Sequence, residues 1–494
     1  MNMNVEGKRV LVCGMARSGI AAAKLLISLG ARVTITDTKP EGEFGGALDE
    51  LRTPECTFAL GQSADGLIAG QDIMVISPGI AWAKPFVQNA IAQGVEVMGE
   101  LELGVRLTMG ALVAITGTNG KTTTTILVKQ ILEKTLGAKV GLIGSISNMI
   151  GDEEFHAEHT TPESCDLQAL FRRMADAGCT HCVMEVSSHS LVLRRVAGVH
   201  FAVGLFTNLT QDHLDFHNTM EEYAKAKAML FPMCEKTAAN ADDPWTENVI
   251  KDAPQPVYTF SAKSDSASLT ARDIRLAPSG VRFCALEEGE LVRVKTNLPG
   301  QFSVYNALAA IACARLLGVP LADAAAALET AHGAKGRVEP VPTDGDYSIF
   351  IDYAVTPDAI ENVLTTLRGI APKRLVMLFG AGGDRDRKKR PIMGKISADI
   401  ADFVIVTSDN PRTEDPMSII EEILPGVRAG KAPYKVICDR PEAIRWAIDH
   451  HEPGDVILLC GKGHEDYQII GHEKIHMDER EIVADYLAER AKRN

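Results

Sequence analysis

The chain reads as a three-domain α/β protein whose first and last domains are doubly wound parallel sheets. Three observations predict this. A strand, glycine turn, helix and strand open the sequence; a second apolar strand runs into Gly117-Thr118-Asn119-Gly120-Lys121-Thr122 and a helix; and the last third alternates apolar strands with helical patterns. At 494 residues the chain is too long for one ordinary core, and about 100 to 200 residues per domain suits three.

In the first unit, Val10-Leu11-Val12-Cys13, a turn from Gly14 to Gly19, a helix from Ala21 to Leu29 closed by Gly30, and Val33 to Thr36 form a βαβ motif, so this domain is Rossmann-like. Ile73 to Ile76 is a buried strand ending at Ser77-Pro78-Gly79. Val95-Glu96-Val97 precedes a short helical pattern reaching Arg106, which puts the domain at 1–109. Ala16 stands where G-x-G-x-x-G has its middle glycine, so the dinucleotide fingerprint is weak. Asp37, closing the next strand, can still accept bonds from a nucleotide, although a purely structural turn accounts for the same residues.

The central domain is expected at 110–338, with a parallel or mixed sheet of P-loop ATPase type. Leu112 to Thr116 delivers the chain into the glycine loop. There the backbone N–H groups and the helix N-terminus attract phosphate, Lys121 adds positive charge and the Thr122 hydroxyl can ligate Mg²⁺. Ile115 occupies the place of the first glycine in the common G-x-x-x-x-G-K-[ST] spacing, so a bland glycine turn is the competing reading. Glu185 and His213 follow at strand ends and suit a hard cation that keeps water; taken alone, His213 is as well explained as an ordinary surface or core residue. Asn297-Leu298-Pro299-Gly300 introduces an Ala-rich helix, Val304 to Leu317, and Gly333 to Gly336 reads as a hinge.

The last domain, 339–494, is Rossmann-like, with strands at Leu375 to Phe379, Phe403 to Thr407 and Val456 to Cys460. Polar clusters stand at strand ends: Gly382-Gly383-Asp384-Arg385-Asp386, Asp409-Asn410-Pro411-Arg412 and Gly461-Lys462-Gly463-His464-Glu465. Ligands of open α/β sheets bind beyond the carboxyl ends of the strands, so these loops should converge, although each alone could be a solvated turn.

Composition narrows the function. Hydrophobic residues at 46% and charged residues at 23% describe a folded globular chain. A net charge of −14 argues against nucleic-acid binding, which needs clustered Lys and Arg. The start lacks an apolar run of signal-peptide length and no stretch is long enough to span a membrane, so a cytoplasmic location without membrane insertion is expected. The 10 cysteines are dispersed and read as free thiols; the single C-x-x-C, Cys179 to Cys182, lacks the second pair a structural zinc needs.

Ile115 to Thr123, His159-Thr160-Thr161-Pro162, Met184 to His189, Asn208 to Asp215, Gly336-Arg337-Val338-Glu339 and Asp352-Tyr353 follow the motif order of the Mur ligases of bacterial cell-wall synthesis, and the chain resembles that family over essentially its whole length. The resemblance implies an ATP-dependent, Mg²⁺-using acid–amino-acid ligase, here taken as a monomer, that builds an amide bond on a UDP-linked peptidoglycan precursor through an acyl phosphate. It implies ATP contacts from Gly117, Thr118, Asn119, Gly120, Lys121, Thr122, Thr123, Asn306, Arg337, Asp352 and Lys389. Lys121, Lys227, His213 and Glu185 would carry the chemistry. Thr122, Glu185, His213 and a carbamylated Lys227 would hold the metal, an unmodified surface lysine being the alternative.

From about residue 109 onward the chain most resembles the branch that adds the third residue to UDP-N-acetylmuramoyl-L-alanyl-D-glutamate. Asp409-Asn410-Pro411-Arg412 resembles the motif of members using meso-diaminopimelate, and a guanidinium at Arg412 can grip that amino acid's second carboxylate, which lysine lacks. By the same resemblance Arg385, Asp409, Asn410, Pro411, Arg412, Gly461 and Glu465 surround diaminopimelate. Thr160, Thr161, Ser187 and Arg195 would meet the muramoyl peptide.

The chain departs from that branch in two places. Val355 replaces the usual His in Asp352-Tyr353-Ala354-Val355-Thr356-Pro357-Asp358, removing an imidazole near the adenine. The first domain, through Gly14 to Gly19, Asp37-Thr38, Ser77-Pro78-Gly79-Ile80 and Gly99 to Leu103, resembles the D-glutamate-adding member instead. Ala16, Asp37, Thr38, Ser77 and Gly79 would hold the UDP moiety. D-Glutamate ligation to UDP-N-acetylmuramoyl-L-alanine, or lysine in place of diaminopimelate, are therefore the rival reactions. A nucleotide-sensing protein or an NAD-dependent dehydrogenase is the rival class.

Overall fold

The computed structural model describes residues 5–15, 17–77, 79–100, 103, 110–371 and 373–493; Ala16, the end of the helical pattern at Arg106 and the boundary near Met109 lie outside them. Strands β1 (Arg9–Cys13), β2 (Arg32–Asp37), β3 (Cys56–Leu60), β4 (Ile73–Ile76) and β5 (Glu96–Gly99) form a parallel sheet in the order β3-β2-β1-β4-β5. The order reverses between β1 and β4, which opens a crevice at Gly14 and Ser77. Val10, Val12, Ile35 and Val75 fill the space beneath the helix Arg17–Ser28.

The second sheet has 11 strands: β6 (Ala111–Thr116), β7 (Val140–Ile143), β8 (Ser147–Ile150), β9 (Glu153–His156), β10 (His181–Glu185), β11 (Phe201–Phe206), β12 (Cys234–Asn240), β13 (Tyr258–Ser261), β14 (Leu269–Ala277), β15 (Gly280–Glu287) and β16 (Glu290–Thr296). Its order is β16-β15-β14-β13-β12-β11-β6-β10-β7-β8-β9, with a parallel centre and antiparallel ribbons at both ends. The helix Lys121–Leu136 lies on this sheet, its Leu127, Val128, Ile131 and Leu132 buried in one core with Val304, Leu308 and Ile311 of the helix Gln301–Leu316. Alanines at 307, 309, 310, 312 and 314 of the second helix are fully or almost fully buried. Their small side chains let the helix pack closely, and burying each larger aliphatic neighbour contributes about 1.5–3 kcal/mol.

The third sheet, β17 (Glu339–Val341), β18 (Tyr347–Asp352), β19 (Leu375–Phe379), β20 (Phe403–Val406), β21 (Tyr434–Val436) and β22 (Asp455–Cys460), is ordered β17-β18-β22-β19-β20-β21 and is parallel except for β17. A separate hairpin, β23 (Tyr467–Ile470) and β24 (Glu473–His476), follows it. All 10 cysteines are free. Among the described residues no helix is long and apolar enough to cross a membrane.

The strand ends of the third sheet are tied from below by Arg440, which is 1% exposed. Its guanidinium donates to Glu479 Oε1 (2.8 Å), Cys460 O (2.8 Å) and Ser408 O (3.3 Å). Removing one partner leaves a buried carboxylate and two carbonyls unanswered. Arg440→Ala should therefore lower unfolding free energy by about 3–5 kcal/mol in urea titrations, whereas breaking the exposed Lys24–Glu50 pair should leave it essentially unchanged.

Candidate active site

The phosphate-type loop is built by close backbone packing. Gly117 adopts φ 145°, and a Cβ there would stand 1.9 Å from Thr207 Oγ1 and 3.0 Å from the Asn208 carbonyl oxygen, so only glycine fits between β6 and the end of β11. The loop is fastened to that strand end: Thr118 N donates to Asn208 O (2.8 Å), Asn119 N to Asn208 Oδ1 (2.9 Å) and Thr207 Oγ1 to Asn119 O (2.8 Å). Thr207 and Asn208 are not among the site residues expected from the sequence, although Asn208 opens the Asn208 to Asp215 motif and the polar pair directly follows an apolar strand.

Two lysines meet at this loop. Lys121 Nζ donates to Gly117 O (3.0 Å) and Thr118 O (2.8 Å), and Lys227 Nζ, from the helix Met220–Ala228, donates to the same Gly117 O at 2.8 Å. Lys227 is 1% exposed, lies 4.4 Å from the Tyr223 ring centroid, and is pushed well below the usual lysine pKa by burial and then by the Lys121 charge, against the pull of Asp212. Burial also lowers Lys121, Glu185 and Asp212 opposing and Arg337 reinforcing the shift.

A cleft of about 490 Å³ runs from this loop to the third sheet, and its walls include Thr118, Asn119, Gly120, Lys121, Thr122, Thr123, Glu185, Asn306, Arg337 and Asp352. Glu185 is 1% exposed and accepts from Ser145 N (2.8 Å) and Ser145 Oγ (3.1 Å), a partner the sequence did not announce. Asp352 accepts from Val338 N (2.8 Å) and Ala354 N (2.9 Å); burial raises its pKa against those donors and Arg337. Lys389 donates to Val355 O at 2.8 Å. His213, by contrast, is half-exposed, 3.5 Å from Asp212, with its ring 4.9 Å from that of His189 and 6.1 Å from Tyr223.

Among the described residues no group of three or more His, Cys, Asp or Glu side chains is arranged to hold a metal ion. The oxygen donors of Glu185 and Thr122 suit a hard cation. The Lys227 amine does not suit one unless it becomes a carbamate.

Beside Glu185, Thr161 Oγ1 donates to Glu185 O (2.9 Å) and accepts from Ser187 N (3.1 Å), Arg195 Nη1 donates to Thr161 O (3.1 Å), and Thr160 Oγ1 lies 3.0 Å from Ser145 Oγ. Thr161, Ser187 and Arg195 thus form one hydrogen-bonded group, which Thr160 joins through Ser145 and Glu185. At the crevice of the first sheet, Asp37 accepts from Met15 N (2.7 Å) and Lys39 N (3.0 Å), and the Ser77 hydroxyl donates to buried Glu100 with Gly14 O also within 3.1 Å of its oxygen, beside exposed Thr38 and Gly79.

The polar strand ends of the third sheet do converge. Asn410 Nδ2 donates to Glu465 Oε2 (2.9 Å), Arg412 Nη1 to Gly383 O (2.8 Å), and a Cβ on Gly461, whose φ is 115°, would stand 2.5 Å from Asp409 Oδ2. Pro411 O lies where a Gly383 Cβ would fall, and a Cβ on Gly382 would be 2.9 Å from Arg412 Nη1 and 3.7 Å from Arg385 Cγ. Arg412 itself holds φ 51°, strained for a non-glycine, while its N–H donates to Ile469 O (3.0 Å) and its C=O accepts from Gly471 N (2.7 Å) of the hairpin. Arg390, fully buried, braces the neighbouring loop through Glu414, Glu422 and Gly382 O. Neither the hairpin clamp nor Arg390 was legible in the sequence.

A phosphate-type loop on the second sheet and converging polar loops on the third suit a phosphate-handling α/β enzyme. Residues 8–99 match the family description "Mur ligase MurD-like, N-terminal domain", residues 115–314 "Mur ligase middle domain" and residues 336–463 "Mur ligase, glutamate ligase domain". The chain belongs to the Mur ligase family. It is 50% identical over 382 residues, 77% of this chain and 79% of the other, to the UDP-N-acetylmuramoyl-L-alanyl-D-glutamate–2,6-diaminopimelate ligase of Caldanaerobacter subterraneus subsp. tengcongensis. It is 46% identical to the protein of that name from Clostridium botulinum, over 76% of this chain and 78% of that one. A solved structure of a ligase with this name superposes with a TM-score of 0.63 at 28% identity, covering 99% of this chain and 93% of the other.

The Gly117 geometry carries a direct test. A side chain there must strain the loop as well as displace Thr207, and backbone strain of this kind costs about 1–3 kcal/mol. Gly117→Ala should weaken nucleoside triphosphate binding by about tenfold or more in isothermal titration.

Proposed function

We infer that the protein is an ATP-dependent ligase that adds meso-diaminopimelate to UDP-N-acetylmuramoyl-L-alanyl-D-glutamate. The observation that carries this reading is the joined pocket of Asp409 to Arg412 and Gly461 to Glu465, on a chain that is 50% identical to a ligase of that name. Arg412 and Arg385 offer guanidinium groups to the distal carboxylate and Glu465 answers the distal ammonium. Arg412's strained backbone, clamped by the hairpin, supports a site role for it rather than a solvated turn.

In the proposed mechanism the terminal carboxylate of the UDP-linked peptide attacks the γ-phosphorus of ATP, the bond to ADP breaks, and an acyl phosphate forms. The neutral amine of diaminopimelate then attacks the acyl carbon, phosphate leaves, and the nitrogen gives up a proton. Charge builds on phosphoryl and then carbonyl oxygen. Lys121 and the N-terminus of the helix Lys121–Leu136 are offered to it, already placed before reaction. Thr122, Glu185, His213 and a carbamylated Lys227 would hold Mg²⁺, which when bound supplies further positive charge to the phosphates. Asn306, Arg337 and Asp352 on the cleft walls fit the nucleotide, with Lys389 behind Val355. Thr160, Thr161, Ser187 and Arg195 fit the peptide. Asp37, Thr38, Ser77 and Gly79, with Ala16, fit the UDP moiety. The protein is proposed to act in the cytoplasm as a monomer, as three domains divided near 109 and 338.

D-Glutamate ligation is the second reading, favoured by the MurD-like first domain. Supplying purified protein and ATP with either diaminopimelate and the UDP-dipeptide, or D-glutamate and UDP-N-acetylmuramoyl-L-alanine, separates the two. Product only from the first pair is expected. Arg412→Ala should lower diaminopimelate kcat/KM by about a hundredfold or more, since the pocket then loses the partner of a buried carboxylate; product from the second pair alone would sink the diaminopimelate reading.

Lys227 carries a further expectation. Burial lowers the Lys227 pKa, which favours the unprotonated amine that attacks CO₂ to give a carbamate and a released proton. Lys227→Ala should lose most activity and regain part of it with added acetate or formate. Full activity of the variant without rescue would remove the carbamate from the mechanism.

A further inference from the structure

Lys462 sits between two glycines in the loop after β22 and is wholly buried. Its Nζ donates to Glu465 Oε2 (2.7 Å) and Asn410 Oδ1 (2.8 Å), and lies 5.2 Å from the Tyr467 ring centroid. Asn410 Oδ1 also accepts from Ile469 N (2.9 Å), while Asn410 Nδ2 donates to the Glu465 oxygen that Lys462 already holds. The amide is thereby fixed, oxygen to the lysine and nitrogen to the carboxylate. Among the described residues, the hydrogen bond to Glu465 Oε1 comes from the Tyr467 hydroxyl, at 3.3 Å.

Glu465 therefore has one ammonium partner inside the protein before any ligand arrives. Around it the converging loops carry Lys462, Arg412 and Arg385 as cations and Asp409 and Asp384 as anions, and the cation held directly against Glu465 is Lys462. A ligand that brings an ammonium alone meets a carboxylate already paired and a like charge behind it. One that also brings a carboxylate to Arg412 gains what the ammonium lacks.

We propose that Lys462 is a specificity-determining positioning residue: by pairing Glu465 from within, it makes the pocket accept a distal ammonium only when a distal carboxylate accompanies it. Selection against lysine then has two parts, the missing anion at Arg412 and the pre-neutralised carboxylate at Glu465. The inference rests on the diaminopimelate reading above.

The test measures kcat/KM for meso-diaminopimelate and for L-lysine, with ATP and the UDP-dipeptide, on the full chain and on Lys462→Met and Lys462→Gln. The Gln variant removes the charge yet keeps a donor at the buried position, so it reports even where the Met variant fails to fold. Freed from its internal partner, Glu465 should favour a bare ammonium. The diaminopimelate-to-lysine ratio should fall by about tenfold or more, chiefly through a lower lysine KM, while the ATP KM stays unchanged. An unchanged ratio, with both rates falling in parallel, would overturn the proposal and leave Lys462 a purely structural residue. An unmodified chain that uses neither amino acid would instead overturn the diaminopimelate reading and this inference with it.

Discussion

Two lysine nitrogens share one carbonyl oxygen, that of Gly117, and much of the central domain is arranged around this convergence. Like charges at such range in a poorly solvated site disfavour each other, which is why burial and mutual repulsion both press the Lys227 pKa down. The arrangement persists because the surroundings over-determine it. Tyr223 covers one amine, the Ala-rich helix holds the loop's helix in place, and a glycine at 117 brings the carbonyl within reach of both. Glu185 and Asp212 balance part of the charge. What remains is a preorganised positive site that an anionic ligand can complete.

The same site is mechanically tied to the third sheet. Asp352 binds the backbone N–H of Val338 and of Ala354, Tyr353 N donates to Gly336 O, and Gly336 N donates to Glu339, whose carboxylate pairs with Arg480. Arg480 in turn donates to Gly463 O (2.8 Å), inside the loop that carries Lys462 and Glu465. One hydrogen-bonded run thus leads from the cleft wall to the amino-acid pocket. A cleft and a pocket fixed this way present their ligands at a defined separation, which an in-line sequence of phosphoryl and acyl transfer requires.

Local chemistry decided what could be read in advance. Apolar runs bounded by turn residues located β4, β6, β19, β20 and β22 within a residue or so, because a strand buried on both faces is continuous and unmistakable in pattern. The glycine loop and the polar strand ends were legible for the same reason: their residue types have few other uses at those places. The antiparallel ribbons β8–β9 and β14–β16 went unnamed, since half-exposed strands mix polar and apolar residues. Lys462 stood in plain view inside a quoted cluster, yet nothing in the sequence says that a lysine between two glycines is buried; its burial depends on Asn410 and Glu465 arriving from loops some fifty residues apart in one case and three in the other. His213 could be named from the sequence but not its surroundings, for its imidazole is half-exposed and stands beside Asp212 and His189.

The mixed character of the chain follows from where each part of the chemistry is done. The first sheet offers its crevice at the β1–β4 switch point, and the groups there, Asp37, Ser77 and buried Glu100, are hydrogen-bonded among themselves and to the Gly14 turn. On the proposed reading they hold a UDP moiety, which the substrates of the D-glutamate-adding and diaminopimelate-adding reactions have in common. A domain of either type can therefore present the growing peptide to the same reacting centre. On the same reading the amino acid would be chosen by Arg412 and Glu465, which stand in loops at the strand ends of the third sheet. A MurD-like handle beside a pocket built for a zwitterionic side chain is then no contradiction, because the handle reads what the substrates share and the pocket reads where they differ.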